Sequence, residues 1–139
     1  MSTTKVLRNS RGMTLMEILI VLAIIGTLMA VLIPQIAGKM DKAKIGETKI
    51  ALGQMVNALN LYYTDCGKYP NSIEGLIKAD AECTNWGPEP YLKKAPKDAW
   101  NRAFAYTIEG GKYTIKSLGK DGREGGEGYD KDISNEDIE

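Results

Sequence analysis

The chain has 139 residues, enough for one modest globular domain, and its hydrophobic fraction of 43% is ordinary for a folded protein. It contains no histidine, which removes the most common general base near neutral pH and the most common zinc ligand. The formal net charge is zero, but acidic residues far outnumber basic ones over positions 121–139, and such a terminus repels nucleic acid. These features argue against an enzyme and against a nucleic-acid-binding protein.

A long apolar segment lies near the N-terminus. Residues 18–38 carry no charge, and as a helix they would measure roughly 30 Å, the thickness of a bilayer core. Basic residues precede the segment at Lys5, Arg8 and Arg11, so the rest of the chain is expected to be translocated out of the cytoplasm. A cleaved secretory signal peptide is the alternative, but no small-residue A-x-A site follows Ile33. We therefore predict a retained, single-pass membrane helix.

A basic residue and a glycine directly precede this apolar run, in the sequence Arg11-Gly12-Met13-Thr14-Leu15-Met16-Glu17. The motif resembles the class III signal of type IV pilins and pseudopilins, in which prepilin peptidase cleaves after the glycine and methylates the new amine. The resemblance implies that residues 1–12 are a leader, that cleavage separates Gly12 from Met13, and that Met13 becomes N-methylated. Met13 occupies the position at which the family usually has phenylalanine.

Two residues of the apolar segment are unusual for a simple membrane anchor. A charge deep in the membrane costs about 3 kcal/mol even on lenient scales, so Glu17 either reaches the headgroups or has a partner. In the pilin family, which the segment resembles, this glutamate pairs with the N-terminal amine of a neighbouring subunit during assembly. Pro34 would end or kink a helix. The resemblance implies that the helix continues in a curve, and that residues 26–34 can lose helical order inside a filament.

An amphipathic helix is predicted after the membrane segment. Ile45, Leu52 and Leu59 recur every seventh position, and apolar and polar residues separate onto opposite sides. The helix is expected to end near Gly67, because glycine favours the left-handed conformation that closes helices. A proline-containing connection follows, with one or two helical turns near Ile73.

Alternating apolar residues over positions 104–108 and 113–115, separated by Gly110-Gly111, predict a β-hairpin. The resulting fold class is α+β, with one long N-terminal helix, membrane-spanning in its first half, packed on a small antiparallel sheet. The expected division is a leader at 1–12, a membrane helix at 13–38 and a soluble domain at 39–139.

Several segments of this domain carry a more specific resemblance: Gly67-Lys68-Tyr69-Pro70, the stretch from Tyr91 to Trp100, Ser117-Leu118-Gly119-Lys120-Asp121-Gly122 and the stretch from Gly125 to Ile133. They resemble the pilin-like major pseudopilins of type II secretion systems, and the likeness covers nearly the whole chain. Ala99 stands where family members often have proline.

The resemblance implies a structural subunit, not an enzyme, that polymerises into a periplasmic pseudopilus and drives the export of folded proteins across the outer membrane. The expected partners are further copies of the chain, minor pseudopilins, prepilin peptidase and an inner-membrane assembly platform. The subunit would sit in the bacterial inner membrane, with its N-terminus cytoplasmic and its C-terminal domain periplasmic.

Two alternatives stay open at this point. A type IV or competence pilus subunit would be favoured by a C-terminal disulfide or a basic exposed patch, and the sequence displays neither. A single-pass periplasmic calcium-binding protein that never polymerises would leave Gly12 and Glu17 unexplained.

An acidic, glycine-rich segment follows the hairpin. Composition alone favours a solvated tail, and an EF-hand is excluded because Arg123 and Gly125 stand where that motif needs oxygen ligands. The resemblance to major pseudopilins implies instead a structural calcium ion held by aspartates and backbone carbonyls. The ligands that it implies are Asp121 and Asp132, followed by Asp130, the Leu118 carbonyl and Ser117.

The chain has two cysteines, Cys66 and Cys83. Both fall in the part expected to face an oxidising compartment, where disulfides form and persist. We expect a disulfide across the long connection, with two separate buried thiols as the alternative.

Overall fold

The computed structural model describes residues 12–138. The first eleven residues of the expected leader, including Lys5, Arg8 and Arg11, lie outside the described residues, as does Glu139. Contacts divide the chain into two compact units at the boundary between Gly38 and Lys39, and each unit is described by itself.

One helix, α1 (Leu15–Cys66), runs for 52 residues and contains Pro34 in its interior. The alternative of a helix terminus at Pro34 is therefore wrong. Proline removes one backbone N–H from the hydrogen-bonding ladder, and the flanking turns keep theirs, so the helix can continue through it. Among the described residues, α1 alone is long and apolar enough to cross a membrane.

The apolar side chains of the first unit are not buried by any other described part of the chain. Every residue from 12 to 37 is exposed, and Val21, Leu28 and Ile33 are 46%, 59% and 59% exposed. A continuous apolar surface of this kind is not stable in water, because burying apolar surface is the main favourable term in folding and association. Lipid or other protein chains must therefore cover this part of α1.

The second half of α1 forms the spine of the globular unit. The predicted apolar stripe is confirmed: Leu52, Met55, Leu59 and Tyr62 are all fully buried. Ile45, at the start of the stripe, is half-buried and packs against the same core. The helix ends at Cys66, as the glycine at position 67 predicts, and the Gly67 N–H donates to the Tyr63 carbonyl at 2.8 Å.

The predicted hairpin is also confirmed. Strands β1 (Ala105–Glu109) and β2 (Lys112–Ser117) pair antiparallel around Gly110-Gly111, which have φ values of 57° and 79°. Two consecutive residues with positive φ form the tight turn that matches the twist of paired strands.

A third strand, β3 (Ile133–Ser134), pairs antiparallel with β2, so the sheet order is β1-β2-β3. The sequence analysis did not predict this strand, since two residues are too few to display a periodic pattern. It corrects the solvated-tail interpretation of the C-terminus: Ile133 is buried in the core, and Asn135 accepts a hydrogen bond from the Ile115 N–H at 3.0 Å.

The connection between α1 and the sheet folds over the helix end. Its single short helix is a 3-10 turn at Ile73–Leu76, in agreement with the predicted one or two turns. Leu76, Phe104 and Ile115 complete the core around the α1 stripe. The core therefore draws on the helix, the connection and all parts of the sheet.

Shortening one stripe residue tests how much the globular unit depends on α1. Leu59→Ala removes buried methyl groups and is expected to lower the free energy of unfolding by about 2–5 kcal/mol. Urea unfolding of the full chain in detergent micelles, followed by tryptophan fluorescence, reports on this unit because Trp86 and Trp100 both lie in it.

The matched control is Leu61→Ala, two residues away on the same helix and 59% exposed. Its effect should stay within about 0.5 kcal/mol. Equal losses for the two variants would contradict the assigned helix orientation.

Candidate functional site

The N-terminal site is built around the first turn of α1. Gly12 and Met13 are exposed, so the bond between them, where cleavage is expected, is accessible in this structure. The Thr14 hydroxyl accepts a hydrogen bond from the Glu17 N–H at 3.3 Å, and the Glu17 carboxylate accepts one from the Thr14 N–H at 3.0 Å. These reciprocal bonds form a capping box, which satisfies two of the unpaired donors at a helix start.

Glu17 therefore has a local partner that the sequence analysis missed. The signal was present, because Thr14-Leu15-Met16-Glu17 has the T-x-x-E spacing of a capping box. A carboxylate in the first turn also lies favourably in the positive end of the helix dipole. The cap accounts for a carboxylate at this position within one chain, independently of any neighbour.

The C-terminal site is the loop that joins β2 to β3. The Lys120 N–H donates to the Tyr129 carbonyl at 3.0 Å, which closes the loop. Two glycines let the backbone approach itself: a Cβ on Gly119 or Gly126 would lie 2.6 or 2.7 Å from the Asp130 carbonyl oxygen, too close for any side chain. The loop is thus a closed, tightly packed structure.

Arg102 braces this loop from outside. Its guanidinium donates to the carbonyls of Gly119 and Lys120, at 2.9 and 3.2 Å. A single planar side chain therefore holds two consecutive carbonyls in place.

The five expected calcium ligands differ in their surroundings. Asp121 is exposed and accepts a hydrogen bond from the Arg123 N–H at 3.0 Å. The Asp132 side chain is 21% exposed, and its Oδ2 lies 3.8 Å from the Lys116 ammonium nitrogen. Its Oδ1 is buried and has no hydrogen-bond partner within residues 12–138. Asp130 and Leu118 are half-buried.

The structure does not bring the three aspartates together as a carboxylate cluster. Within the described part of the chain, no group of three or more acidic, histidine or cysteine side chains is placed to hold a metal. The orphaned Asp132 Oδ1 does fit a cation, because a buried carboxylate oxygen without a partner is costly. A calcium ion in this loop would thus depend on Asp132 and on backbone carbonyls.

Ser117, the last expected ligand, is committed to another partner. It is fully buried, and its hydroxyl donates to Asp98 Oδ2 at 2.7 Å. Asp98 Oδ1 accepts from the N–H groups of Trp100 and Arg102 at 3.1 and 2.8 Å. Asp98 is 5% exposed, so three hydrogen bonds offset its removal from water.

Two lysines neutralise the acids around the loop. Lys116 contacts Glu124 at 2.6 Å, and this hydrogen bond raises the pKa of Lys116 and lowers that of Glu124. Lys120 contacts Asp41 of α1 at 2.9 Å, which raises the pKa of Lys120 and ties the loop to the helix. Each pair has one exposed member, Glu124 in the first and Lys120 in the second, so water screens both pairs and each contributes little to stability.

A disulfide joins Cys66, the last residue of α1, to Cys83 in the connection, with a Cα–Cα distance of 5.3 Å. Non-covalent contacts hold the same region. The Trp86 indole donates to the Gly75 carbonyl at 2.7 Å, and Lys68 pairs with Glu82 at 2.8 Å. The disulfide therefore fastens the connection to the helix end, and the other two contacts hold the connection together internally.

Tyr62 and Asp80 form the innermost of these contacts, with the hydroxyl donating to the carboxylate at 2.7 Å. That hydrogen bond lowers the pKa of Asp80, while burial, followed by the same bond, raises the pKa of Tyr62. The pair is thus held as a neutral phenol that donates to an ionised carboxylate.

Comparison with known proteins adds independent findings. A family model described as "Type II secretion system (T2SS), protein G" matches residues 35–136, and one described as "Prokaryotic N-terminal methylation motif" matches residues 7–33. The chain is 37% identical to the type II secretion system core protein G of Pseudomonas aeruginosa, over 92% of this chain and 96% of that protein. It is 36% identical to the protein of the same name from Vibrio cholerae, over 97% of both.

The fold is similar to the crystal structure of the major pseudopilin from the type 2 secretion system of enterohaemorrhagic Escherichia coli. The TM-score is 0.60 at 25% identity, and the alignment covers 70% of this chain and 87% of that one. The likeness therefore extends from the sequence to the arrangement of helix and sheet.

Replacing both cysteines tests how much the bridge stabilises the globular unit. Cys66→Ser/Cys83→Ser is expected to lose about 3 kcal/mol, because the bridge closes a segment with a sequence separation of 17 and restricts the unfolded chain. Urea unfolding in micelles measures the loss, and reduction of the wild type should reproduce it. A reductant that destabilises the serine variant as strongly would show that the effect does not come from this bridge.

Proposed function

Because the chain belongs to the type II secretion system protein G family, we propose that it is the major structural subunit of a type II secretion pseudopilus, whose growth exports folded proteins across the outer membrane. The observation that carries the proposal is the fully exposed apolar half of α1, joined to a folded domain. Lipid or a bundle of identical helices can cover this apolar surface. A subunit that passes from the membrane into a filament needs a helix that is stable in both environments.

In this proposal the chain begins as a single-pass protein of the inner membrane, with its domain in the periplasm. Prepilin peptidase removes residues 1–12 and methylates Met13, in accordance with the methylation motif over residues 7–33. The subunit then joins further copies and minor pseudopilins on an inner-membrane assembly platform. Its role is structural and includes no catalytic step.

Glu17 carries the assembly step of this proposal. Cleavage after Gly12 creates a cationic amine at Met13, and the Glu17 carboxylate of a neighbouring subunit is its partner. The capping box is compatible with this role, because it leaves the carboxylate in the first turn of the helix, close to the new terminus. Pairing in a low-dielectric bundle would be stronger than at a wet surface.

The C-terminal loop is proposed to hold a structural calcium ion. Asp132 is its principal side-chain ligand, because its buried Oδ1 has no other partner in the described chain. Asp121, Asp130 and the Leu118 carbonyl are further candidates, and Ser117 would have to share its oxygen with the Asp98 interaction. An ion there would offset the repulsion among the acids of the loop.

Two variants separate the charge of Glu17 from its capping role. Glu17→Gln keeps a side chain that can complete a capping box but loses the negative charge. Thr14→Ala loses the hydroxyl half of the capping box but keeps the negative charge. In cells that carry the complete secretion system, we expect Glu17→Gln to reduce filament incorporation and secretion at least tenfold, and Thr14→Ala to retain most of both.

Immunoblots of sheared or cross-linked filaments and of secreted proteins measure the two outcomes. Cleavage after Gly12 is followed by the mass of the N-terminal peptide, so that a processing defect is not mistaken for an assembly defect. Normal assembly of correctly processed Glu17→Gln would refute the pairing role. Secretion that persists without this chain would refute the proposed function.

The calcium proposal predicts a metal-dependent rise in melting temperature. The full chain in micelles should melt higher by about 5 °C or more in millimolar calcium than in chelator, as expected for a ligand that binds only the folded state. Asp132→Ala should abolish the rise, and Asp121→Ala should reduce it. Glu109→Ala, at the exposed end of β1, is the matched control and should keep it. A calcium response that survives Asp132→Ala would rule out the assigned ligand.

A further inference from the structure

A lysine of β2 lies beside the carboxylate that is proposed to bind calcium. Along β2, Ile115 and Ser117 are buried in the core, so the intervening Lys116 extends from the opposite face of the sheet. The strand register pairs Lys116 with Ser134 of β3, and Asp132 comes two residues before Ser134. Residues in this diagonal relation are about 7–8 Å apart, within reach of a long side chain. The pairing of β2 with β3 therefore brings Lys116 to Asp132.

Lys116 contacts two acids in different ways. Its ammonium nitrogen is 2.6 Å from a carboxylate oxygen of Glu124 and 3.8 Å from Asp132 Oδ2. Hydrogen bonds between an ammonium and a carboxylate measure about 2.7–2.9 Å, so the contact with Asp132 is electrostatic and not a hydrogen bond. Lys116 thus places a positive charge beside Asp132 and leaves the oxygens of that carboxylate able to bind a metal.

Asp132 needs such a charge because it is largely removed from water. Its side chain is 21% exposed, and its Oδ1 is buried without a hydrogen-bond partner in the described chain. A carboxylate in this situation is costly unless an opposite charge compensates it. Within residues 12–138, Lys116 is the one basic side chain within 4 Å of Asp132. Lys116 and a calcium ion would therefore satisfy the same demand of one carboxylate.

The shape of the loop, by contrast, comes from other contacts. The Lys120 N–H donates to the Tyr129 carbonyl, and Arg102 donates to the carbonyls of Gly119 and Lys120. Neither contact uses an oxygen of Asp132. A cation beside Asp132 thus contributes mainly charge, and Lys116 is the side chain of this chain that is placed to supply it.

We propose that Lys116 is a built-in counter-cation of the C-terminal loop, which neutralises Asp132 before calcium binds and competes with calcium for that carboxylate. The inference rests on the proposed function, since it takes Asp132 as the principal calcium ligand. When calcium binds, the ammonium keeps a partner in Glu124, whose side chain is 76% exposed and lies toward solvent. Lys116 therefore lets the domain fold before it meets calcium, and it lowers the affinity of the loop for the ion.

The first test measures calcium affinity by isothermal titration calorimetry of the full chain in detergent micelles. Lys116→Met keeps the length of the side chain and removes its charge, so it should bind calcium at least tenfold more tightly than the wild type. Lys116→Arg keeps the charge and should stay within threefold of the wild type. Lys112→Met is the matched control. It removes the same charge from the exposed start of β2, on the same face and about 13 Å away, and should also stay within threefold.

Melting temperatures separate competition with calcium from a merely structural role. In chelator, Lys116→Met should melt below the wild type, because Asp132 loses its counter-charge. In millimolar calcium the difference should close or reverse. The calcium-dependent rise should exceed that of the wild type by about 3 °C or more, as expected for a ligand that binds the folded state tenfold more tightly. Equal losses in chelator and in calcium would contradict the competition.

A third comparison identifies the acid through which Lys116 acts. Glu124→Gln removes the closer partner of Lys116 and leaves Asp132 in place. In that background, Lys116→Met should still tighten calcium binding at least tenfold. A gain that disappears together with the Glu124 charge would show that Lys116 does not act through Asp132, and would overturn the inference.

Two kinds of failure can be told apart. Calcium binding by the wild type that Lys116→Met leaves unchanged or weakens, or that Lys116→Arg tightens equally, would overturn the inference and leave the calcium site standing. No calcium binding by the wild type or by any variant would refute the calcium site itself, and the role of Lys116 with it. Filament incorporation tests the pseudopilin function separately from both.

Discussion

The folded part of this protein depends on the burial of one helical stripe. Its strands are short, and the third contains two residues, so the sheet has too little surface of its own to exclude water. Leu52, Met55, Leu59 and Tyr62 supply that surface from α1. The sheet covers one side of the stripe and the connection covers the helix end. Without the helix, neither would have anything to pack against.

Polar contacts then determine how the connection, the sheet and the C-terminal loop are arranged around this core. Asp98 lies where the connection, the sheet and the C-terminal loop converge, and it binds donors from the first two. The neighbouring Ala99 N–H donates to the buried Thr48 hydroxyl at 3.1 Å, which fastens the connection to α1. Buried polar groups that are fully hydrogen-bonded allow one arrangement and penalise others. Arg102 contacts the C-terminal loop directly. Asp98 acts on it through Ser117, whose hydroxyl also accepts a hydrogen bond from the Gly119 N–H at 3.4 Å.

Helix α1 is suited to two environments, because its first half is apolar on every side and its second half is buried on one side only. The first half offers apolar side chains in every direction, as a segment in lipid or in a helix bundle requires. The second half buries one side in its own domain and leaves the opposite side exposed. A filament subunit needs this division, since a side buried within the chain cannot also contact a neighbour.

Local patterns in the sequence determined the elements of this structure. The seven-residue recurrence specified the buried side of α1, alternation around Gly110-Gly111 specified the hairpin, and two cysteines allow a single pairing. The T-x-x-E spacing of Thr14 and Glu17 also indicates their capping box. Tertiary structure alone decided the pairing of β3, the Asp98 interactions and the isolation of Asp132 Oδ1. The β3 pairing and the bond from Ser117 to Asp98 join residues far apart in the chain through one or two contacts each, which produce no periodicity. They form only once the helix and hairpin have brought those residues together, and the burial of Asp132 Oδ1 follows from the same packing.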